Sequence, residues 1–147
     1  MKQLFVKSLV FENNSYIPSK YTCDGENVNP PLTIEQVPES TKSLVLIVDD
    51  PDAPGGTWDH WIVWNIVPTF QVAEDSVPGT EGMNSFQKKS YGGPCPPSGT
   101  HRYFFKVYAL DSKLNLSQSS RKKDIEKAMQ GQIIAQGQLI GLYRRIK

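Results

Sequence analysis

The chain has 147 residues, of which 38% are hydrophobic and 21% are charged, and its formal net charge is +1. This length is most simply a single domain (residues 1–147) that buries a core without a metal or a disulfide. The small net charge gives no overall field that favours nucleic acid, so we expect no nucleic-acid partner. No apolar segment approaches the ~20 residues needed to cross a bilayer, so we expect no membrane span.

The N-terminal segment MKQLFVKSLVF (residues 1–11) alternates polar and apolar residues. It has neither the long apolar run nor the small-residue cleavage site of a secretory signal, and it predicts an edge strand. We therefore expect a soluble, cytoplasmic protein in which Cys23 and Cys95 are free thiols. The sequence leaves a disulfide open: it would contribute roughly 4 kcal/mol, and only a Cα separation above ~7 Å would rule it out.

Short strand-like runs, separated by eleven glycines and eleven prolines, are typical of a mostly-β domain. Three of the runs are continuously apolar or aromatic, and a fourth alternates like a strand with one wet face. The predicted strands are residues 43–50, 60–68, 102–110 and 132–146. Between residues 68 and 91 the chain is polar and irregular, which predicts a long surface excursion.

One helix is predicted near the C-terminus, with Ser120 as its N-cap and Gly131 as its stop signal. Its apolar stripe would consist of Ile125, Ala128 and Met129. Three basic residues follow Ser120 in the first turn, where the helix dipole disfavours positive charge. The helix should therefore depend on packing more than on its own sequence.

The first two predicted core strands are joined by a turn that contains DPDAPGG (residues 50–56). If these strands pair antiparallel, several polar and aromatic side chains collect at one end of the sheet. Strict alternation would place His60 on the same face as Ile62 and Trp64. The side chains collected at that end are Asp50, Asp52, Trp58 and His60.

The chain's other histidine, His101, follows the Pro/Gly-rich loop YGGPCPPSGT (residues 91–100). It is in phase with Tyr103 and Phe105 at the start of its strand. Both histidines therefore head a core strand directly after a Pro/Gly-rich loop. If their strands are neighbours that run in the same direction, the two imidazoles converge with the aspartates.

Three chemistries could use such a cluster. A metal site would need His60, His101 and a carboxylate, perhaps with Cys95, but no short histidine spacing defines the ligands. A hydrolase could use Ser98, His101 and Asp50, but the sequence has no nucleophile elbow. Non-covalent recognition of a small anion or zwitterion uses glycine-rich backbone, imidazole donors and carboxylate acceptors, and it requires no missing feature.

Three stretches of the sequence resemble the signature regions of a known family. They are DPDAP (residues 50–54), WDHWIVWNI (58–66) and GGPCPPSGTHRYFFKVYALD (92–111). In these the chain is similar to the phosphatidylethanolamine-binding protein family, which includes the Raf kinase inhibitor protein and the floral regulators. YTCDGENVNPPL (21–32) and STKSLVLIVDDPDAP (40–54) resemble the bacterial and archaeal branch in particular, and the resemblance covers nearly the whole chain.

This resemblance implies a large central antiparallel sheet, flanked by a smaller sheet and at least one α-helix. It also implies a small pocket at one sheet end that binds phosphate-like anions and phosphorylated head groups. Because animal members commonly have glycine where Cys95 stands, the backbone N–H there is expected to matter more than the thiol; a reactive thiol is a side hypothesis. Carried over to this sequence, the lining residues would be Asp50, Asp52, Pro54, Trp58, His60, Gly93, Cys95, Pro96, His101 and Tyr103.

The function implied is that of a non-enzymatic binding or regulatory protein without a cofactor. Its ligand would be a small anion or zwitterion such as phosphate or phosphoethanolamine, and a kinase or protease partner and a homodimer are left open. The segment GGT (residues 55–57) is shorter than in animal and plant members, and the gating C-terminal helix of mammalian members is missing from the sequence. We therefore expect a more open pocket with broader ligand choice.

In the site that we expect, histidines and loop N–H groups hold the anion. Carboxylates orient these donors or accept an ammonium group, and aromatic side chains form the apolar walls. The histidines are His60 and His101, the carboxylates are Asp50 and Asp52, and the aromatic residues are Trp58 and Tyr103.

Overall fold

The computed structural model describes residues 2–145, which form ten β-strands, one α-helix and a short 3-10 helix, Ser19–Tyr21. The strands are β1 (Lys2–Gln3), β2 (Phe5–Lys7), β3 (Ser15–Tyr16), β4 (Leu32–Glu35), β5 (Ser43–Asp50), β6 (Trp58–Ile66), β7 (Gln71–Val72), β8 (Thr80–Glu81), β9 (His101–Leu110) and β10 (Ile133–Tyr143), and the α-helix is α1 (Lys122–Met129). Among these residues no helix is both long and apolar enough to span a bilayer.

The strands form a large and a small sheet. The large sheet has the spatial order β1-β10-β9-β5-β6-β8, and β3 also pairs with β10; the small sheet has the order β2-β4-β7. All pairs from β10 to β8 are antiparallel, whereas β1 and β3 run parallel to β10. The predicted fold class is confirmed: mostly β, with a central sheet flanked by a smaller sheet and a helix.

Strand β5 is covered on both faces, as its continuous apolar sequence predicts. All eight of its residues are buried. Leu46 and Val48 belong to the core between the two sheets, whereas Val45 and Ile47 belong to the core beneath α1. The same alternation separates the last two residues of the strand, so that Asp49 and Asp50 lie on opposite faces of the sheet.

Helix α1 begins two residues after the predicted N-cap, because Arg121 rather than Ser120 occupies that position. The Arg121 N–H donates to the Asp124 carboxylate over 2.9 Å. The buried residues of α1 are Ile125 and Met129, both of which belong to the predicted apolar stripe. Gly131 follows with φ of 78°, a left-handed conformation that suits glycine at the end of a helix.

The structure also explains how a lysine is tolerated in the first turn of α1. The Lys122 ammonium lies 3.2 Å from the carboxylate of Asp49 and 2.9 Å from that of Asp59. These two aspartates face each other across β5 and β6. The ion pairs hold the start of the helix on the sheet and offset the unfavourable dipole.

Three sequence predictions need correction or limits. Residues 68–91 are more than a surface excursion, because they contribute β7, β8 and the buried Asn84. The last strand ends at Tyr143 in the structure, and Ile146 of the predicted strand lies outside the described residues. The predicted N-terminal edge strand is divided into β1 and β2, which join different sheets.

Candidate ligand-binding site

The two histidines meet at one end of the central strands of the large sheet because of the strand order. Strand β5 lies between β6 and β9 and is antiparallel to both. Strands β6 and β9 therefore run in the same direction, and both begin at the edge where β5 ends. His60 and His101 converge there with Asp50, although their strands run in the same direction without being neighbours, because β5 lies between them.

A β-bulge decides which face of the sheet His60 occupies. Trp61 lies opposite Val48, but Asp59 lies opposite Asp49, so His60 is the extra residue on β6. Strict alternation would place His60 opposite Asp49, beneath α1, with Ile62 and Trp64. That prediction is wrong: His60 contacts Tyr103, which belongs to the core between the sheets.

A cavity of about 240 Å³ lies where the three strand ends meet. Most of the predicted residues line it, but Asp52 and Gly93 do not, and three lining residues escaped the sequence analysis: Ala53, Phe86 and Pro97. Its walls are mainly proline and aromatic side chains, with the imidazoles and one carboxylate as polar groups. The lining residues are Asp50, Ala53, Pro54, Trp58, His60, Phe86, Cys95, Pro96, Pro97, His101 and Tyr103.

Asp50 is the only carboxylate of the cavity wall among the described residues, and both of its oxygens accept hydrogen bonds. One oxygen lies 2.7 Å from Nδ1 of His101, and the other accepts the backbone N–H of Asp52 over 2.7 Å. Asp50 and His101 are 3% and 7% exposed, so the pair is buried. A carboxylate bound to Nδ1 fixes the orientation of the His101 ring.

His60 is held by the backbone of the Pro/Gly-rich loop. Its Nδ1 lies 2.7 Å from the Gly92 carbonyl oxygen, and the Gly92 N–H donates to the His60 carbonyl over 3.0 Å. A carbonyl can only accept, so Nδ1 carries the hydrogen. Burial lowers the pKa of His60, and the weaker effects of the Gly92 carbonyl and the Asp50 charge oppose that change.

The Tyr103 hydroxyl is the unsatisfied polar group of the cavity. Tyr103 is fully buried, and its oxygen makes no hydrogen bond of ordinary geometry among the described residues, although the Asp50 carboxylate lies close enough to act on it. Burial, and then the negative charge of Asp50, raise the pKa of the phenol, so the hydroxyl keeps its proton. An unpaired buried hydroxyl costs about 1–3 kcal/mol, which a bound acceptor would recover.

Two residues that we predicted as ligand contacts, Asp52 and Gly93, are instead hydrogen-bonded to other residues of the protein. Asp52 receives three hydrogen bonds from Arg102, one from its backbone and two from its guanidinium. The Arg102 side chain lowers the pKa of Asp52 to about 2. The N–H of Gly93 donates to the Asn27 side chain over 2.8 Å. Both residues therefore support the loops around the cavity.

Cys23 and Cys95 form a disulfide, with a Cα separation of 5.4 Å, so the expectation of free thiols is wrong. The pairing could not be seen from the sequence because the cysteines are 72 residues apart. The Cys23 N–H also donates to the Pro94 carbonyl over 3.1 Å. The side hypothesis of a reactive Cys95 thiol is excluded in this oxidised state, and the disulfide holds the wall that Cys95 forms.

Phe86 reaches the cavity from the segment that we took for a surface excursion. Its ring lies 5.6 Å from that of Trp58 and 5.3 Å from that of His60, both in edge-to-face contacts. The turn that places it is built by Asn84, whose side-chain oxygen accepts the N–H groups of Phe86 and Lys88. An asparagine two residues before an aromatic was the available signal, since such side chains commonly fold a turn.

The two enzyme alternatives gain no support from this geometry. Ser98, the candidate nucleophile, is exposed and is not part of the cavity wall. Within residues 2–145 no three His, Cys, Asp or Glu side chains are grouped as metal ligands. What the arrangement offers is a small cavity with polar groups that can bind and orient a ligand.

The buried, neutral His60 predicts a pH dependence of stability. In the unfolded chain its pKa is about 6.5, whereas burial lowers the folded-state value. Below pH ~6.5 the unfolded chain therefore binds an additional proton, and the free energy of unfolding should fall by up to about 1.4 kcal/mol per pH unit. Urea unfolding at pH 7, 6 and 5 measures this decrease.

The control variant is His60→Asn, whose amide can still donate to the Gly92 carbonyl but does not titrate. It should lose less stability between pH 7 and 5 than the unsubstituted protein. Equal pH slopes for the two proteins would contradict the assignment of a neutral buried imidazole.

The fold and the cavity together define a small β protein of a ligand-binding class. Residues 7–144 match the family model described as phosphatidylethanolamine-binding protein. The chain belongs to the phosphatidylethanolamine-binding protein family.

Relatives in sequence and structure agree with this assignment. A UPF0098 protein of Pyrococcus horikoshii is 51% identical, over 94% of this chain and 75% of its own length. A UPF0098 protein of Aquifex aeolicus is 49% identical, over 95% and 88% of the two chains.

Two solved structures have the same fold. One, from Chlamydia trachomatis and described as a phosphatidylethanolamine-binding protein homologue, superposes with a TM-score of 0.94 at 39% identity, covering 99% of this chain and all of its own. The other is E. coli YbcL, described as a member of the mammalian family, with a TM-score of 0.90 at 30% identity, covering 98% and 99% of the two chains.

Proposed function

We propose that this protein is a non-enzymatic binding protein whose cavity takes a phosphate-like anion or a phosphorylated head group. The observation that carries the proposal is the fully buried Tyr103 hydroxyl, which makes no hydrogen bond of ordinary geometry among the described residues. Buried hydroxyls normally have a hydrogen-bond partner, and one without it at a cavity wall is open to an acceptor from outside the chain, which a water or a ligand can supply. His60 and His101 lie beside it, since both rings contact that of Tyr103.

The rigid surroundings support binding of a small ligand. Prolines 54, 96 and 97 line the cavity, and the disulfide fixes the wall at Cys95. Such walls lose little conformational entropy when a ligand binds. Asp52 and Gly93 contribute to the proposed site indirectly, through the backbone of Arg102 and the side chain of Asn27.

The mouth of the cavity suits a cationic group next to the anion, as in phosphoethanolamine. Trp58 and Phe86 are 39% and 37% exposed and form an aromatic pair at the cavity. Aromatic faces attract ammonium groups, and the Asp50 carboxylate adds negative charge at the same wall. Inhibition of a kinase or protease, formation of a homodimer and a cytoplasmic location remain predictions from the sequence. The disulfide between Cys23 and Cys95 argues against the last of these, because disulfides persist mainly in oxidising compartments.

The test is an NMR titration with inorganic phosphate and with phosphoethanolamine, in which the imidazole signals of His60 and His101 report binding. Both sets of signals should shift. Tyr103→Phe should weaken binding about tenfold, because it removes one hydrogen bond of about 1.5 kcal/mol to a charged acceptor. Without ligand the same variant should lose at most about 1 kcal/mol of stability, since the lost hydroxyl makes no hydrogen bond of ordinary geometry within the protein.

Tyr16→Phe is the matched control, because Tyr16 is 58% exposed and is not part of the cavity wall. It should bind as the unsubstituted protein does. If neither ligand moves the two histidine signals, or if Tyr103→Phe binds with unchanged affinity, the cavity is not an anion site.

A further inference from the structure

We propose that Arg121, at the start of helix α1, is a positioning residue for the cavity, although it is not among the residues that line it. Its guanidinium holds the turn formed by residues 84–88, and this turn carries the Phe86 ring, which forms part of the cavity wall. The effect on affinity rests on the proposed function, whereas the position of the ring can be measured without any ligand.

The Phe86 ring is packed against both β6 and the Pro/Gly-rich loop. Its centroid lies 5.3 Å from that of His60 and 5.6 Å from that of Trp58, in edge-to-face contacts. The ring also lies directly on Gly92, where an added Cβ would approach it to 2.6 Å. A shift of this ring would therefore change both the shape of the cavity and the surroundings of His60.

The turn that carries Phe86 includes a residue in an unfavourable backbone conformation. Gln87 has φ of 63°, which is left-handed and uncommon for a residue with a long side chain. The Gln87 N–H donates to the Asn84 carbonyl over 3.1 Å, and the Asn84 N–H donates to the Lys88 carbonyl over 2.8 Å. Strained conformations persist only where surrounding contacts hold them, so contacts from outside the turn are important.

On the sheet side, the turn is held at its first two residues. The Asn84 side-chain amide donates to two backbone carbonyls, over 3.2 and 2.7 Å. Ser85 exchanges two hydrogen bonds with the backbone of Asp59, both of 2.8 Å. These contacts hold the part of the turn that precedes Phe86, and none of them is made by the Gln87 side chain.

Arg121 supplies the contact on the other side of Phe86. Its Nη2 donates to Oε1 of Gln87 over 2.6 Å, and its Nη1 donates to the Asn84 carbonyl over 3.4 Å. The two acceptors lie on either side of Phe86 in the chain, so one guanidinium spans the turn. Because a guanidinium presents its donors in a rigid plane, it fixes the orientation of the turn as well as its distance.

Arg121 can hold the turn because its own backbone is fixed on the sheet. The carbonyl of Ser120 accepts the Met83 N–H over 2.8 Å. The Lys122 ammonium lies 2.9 Å from the carboxylate of Asp59, which directly precedes the histidine of β6. The start of α1, the turn and this strand are thus connected, and Arg121 extends the connection to the cavity wall.

The consequence for binding follows from the freedom of the Phe86 ring. Without the contact from Arg121, the second half of the turn is released, and the ring is no longer held in one place. A ligand that uses this wall must then order the ring when it binds. Immobilising one side chain in this way lowers affinity by about two- to tenfold.

The test compares three single variants with the unsubstituted protein. Arg121→Ala removes the contact together with a positive charge, whereas Gln87→Ala removes the same contact and no charge. Lys123→Ala is the matched control, because Lys123 is exposed in the first turn of the same helix and its substitution removes only a charge. Arg121 and Gln87 are also exposed, so we expect all three variants to fold, and urea unfolding verifies this.

The first measurement is made by NMR without ligand. The indole N–H signal of Trp58 and the ring signals of His60 report on Phe86, since both rings contact it. Arg121→Ala and Gln87→Ala should shift both sets of signals in the same direction. Lys123→Ala should shift neither.

The second measurement is calorimetric titration with inorganic phosphate. Arg121→Ala and Gln87→Ala should each weaken binding by about two- to tenfold, and the two together should have no larger effect than either alone. Lys123→Ala should weaken it by less than about twofold, because solvent screens an exposed charge. In a Phe86→Ala background, Arg121→Ala should have no further effect, because the ring that it positions is gone.

The outcomes separate this role from the proposed function. If Arg121→Ala and Gln87→Ala leave the Trp58 and His60 signals unchanged, Arg121 is not a positioning residue. The same conclusion follows if Lys123→Ala weakens binding as much as Arg121→Ala while Gln87→Ala does not, since charge alone then explains the loss. If the unsubstituted protein binds no phosphate, the proposed function fails, and the spectra without ligand still decide the role of Arg121.

Discussion

Replacing Cys23 and Cys95 together by serine is expected to lower the free energy of unfolding by about 4 kcal/mol. The disulfide spans 72 residues, and without it the unfolded chain regains the entropy of that loop. Urea unfolding of the double variant and of the oxidised protein, both without reductant, measures the difference. A loss below about 1 kcal/mol would show that strain or residual structure cancels the entropic effect.

A reductant provides the control for that experiment. Dithiothreitol should destabilise the unsubstituted protein to the level of the double variant and leave the variant unchanged. If it destabilises both proteins equally, the effect does not come from this bond.

Loss of the disulfide should also weaken phosphate binding. Cys95 lines the cavity, and the bond ties it to Cys23. The neighbouring Asp24 accepts the Tyr143 hydroxyl over 2.6 Å, so the wall is connected to the end of β10. Reduction separates Cys95 from this support, and we expect a several-fold lower affinity in calorimetric titration.

Substitution of His101 by leucine is expected to destabilise the protein by about 3 kcal/mol, because it leaves the buried Asp50 carboxylate without its main partner. Asp50 keeps only the Asp52 N–H among its described hydrogen bonds. Equilibrium unfolding at pH 7 measures the loss. Phosphate binding should be lost as well, since His101 is part of the cavity wall.

A double-mutant cycle tests the cause of this destabilisation. Asp50→Asn removes the charge, so the combination with His101→Leu should be less destabilised than the sum of the single variants. Lys7→Ala is the control for an exposed ion pair: Lys7 and Glu35 are 3.3 Å apart with side chains 61% and 54% exposed. It should cost at most about 1 kcal/mol. Additive effects of Asp50→Asn and His101→Leu would contradict the coupling.

Much of the fold could be predicted because it follows from local periodicity. The apolar run of β5 indicated burial on both faces, and the aromatic run of β9 placed His101 in phase with Tyr103 and Phe105. The helix stripe at Ile125 and Met129 was also visible in the sequence. Such patterns depend on the pleat of a strand and the pitch of a helix, which each segment carries within itself.

The candidate site was predictable only in part, because its groups come from four separate segments. The ends of β5, β6 and β9 were recognised as one place from their Pro/Gly-rich loops. Phe86 was missed because the segment around it has no periodicity. Gly93 was taken for an anion donor because nothing local shows that Asn27, 66 residues away, accepts its N–H.

The sequence by itself determined the class of fold, the core strands and the sheet edge at which the histidines lie, because these depend on the order of apolar and polar residues along short segments. Only the tertiary structure decided the orientation of His60, since the bulge that turns it toward Tyr103 depends on how β6 pairs with β5. Only the tertiary structure showed that Cys23 and Cys95 form a disulfide and that the Tyr103 hydroxyl makes no hydrogen bond of ordinary geometry among the described residues. Each of these is set by contacts between residues far apart in the chain, which local periodicity does not encode.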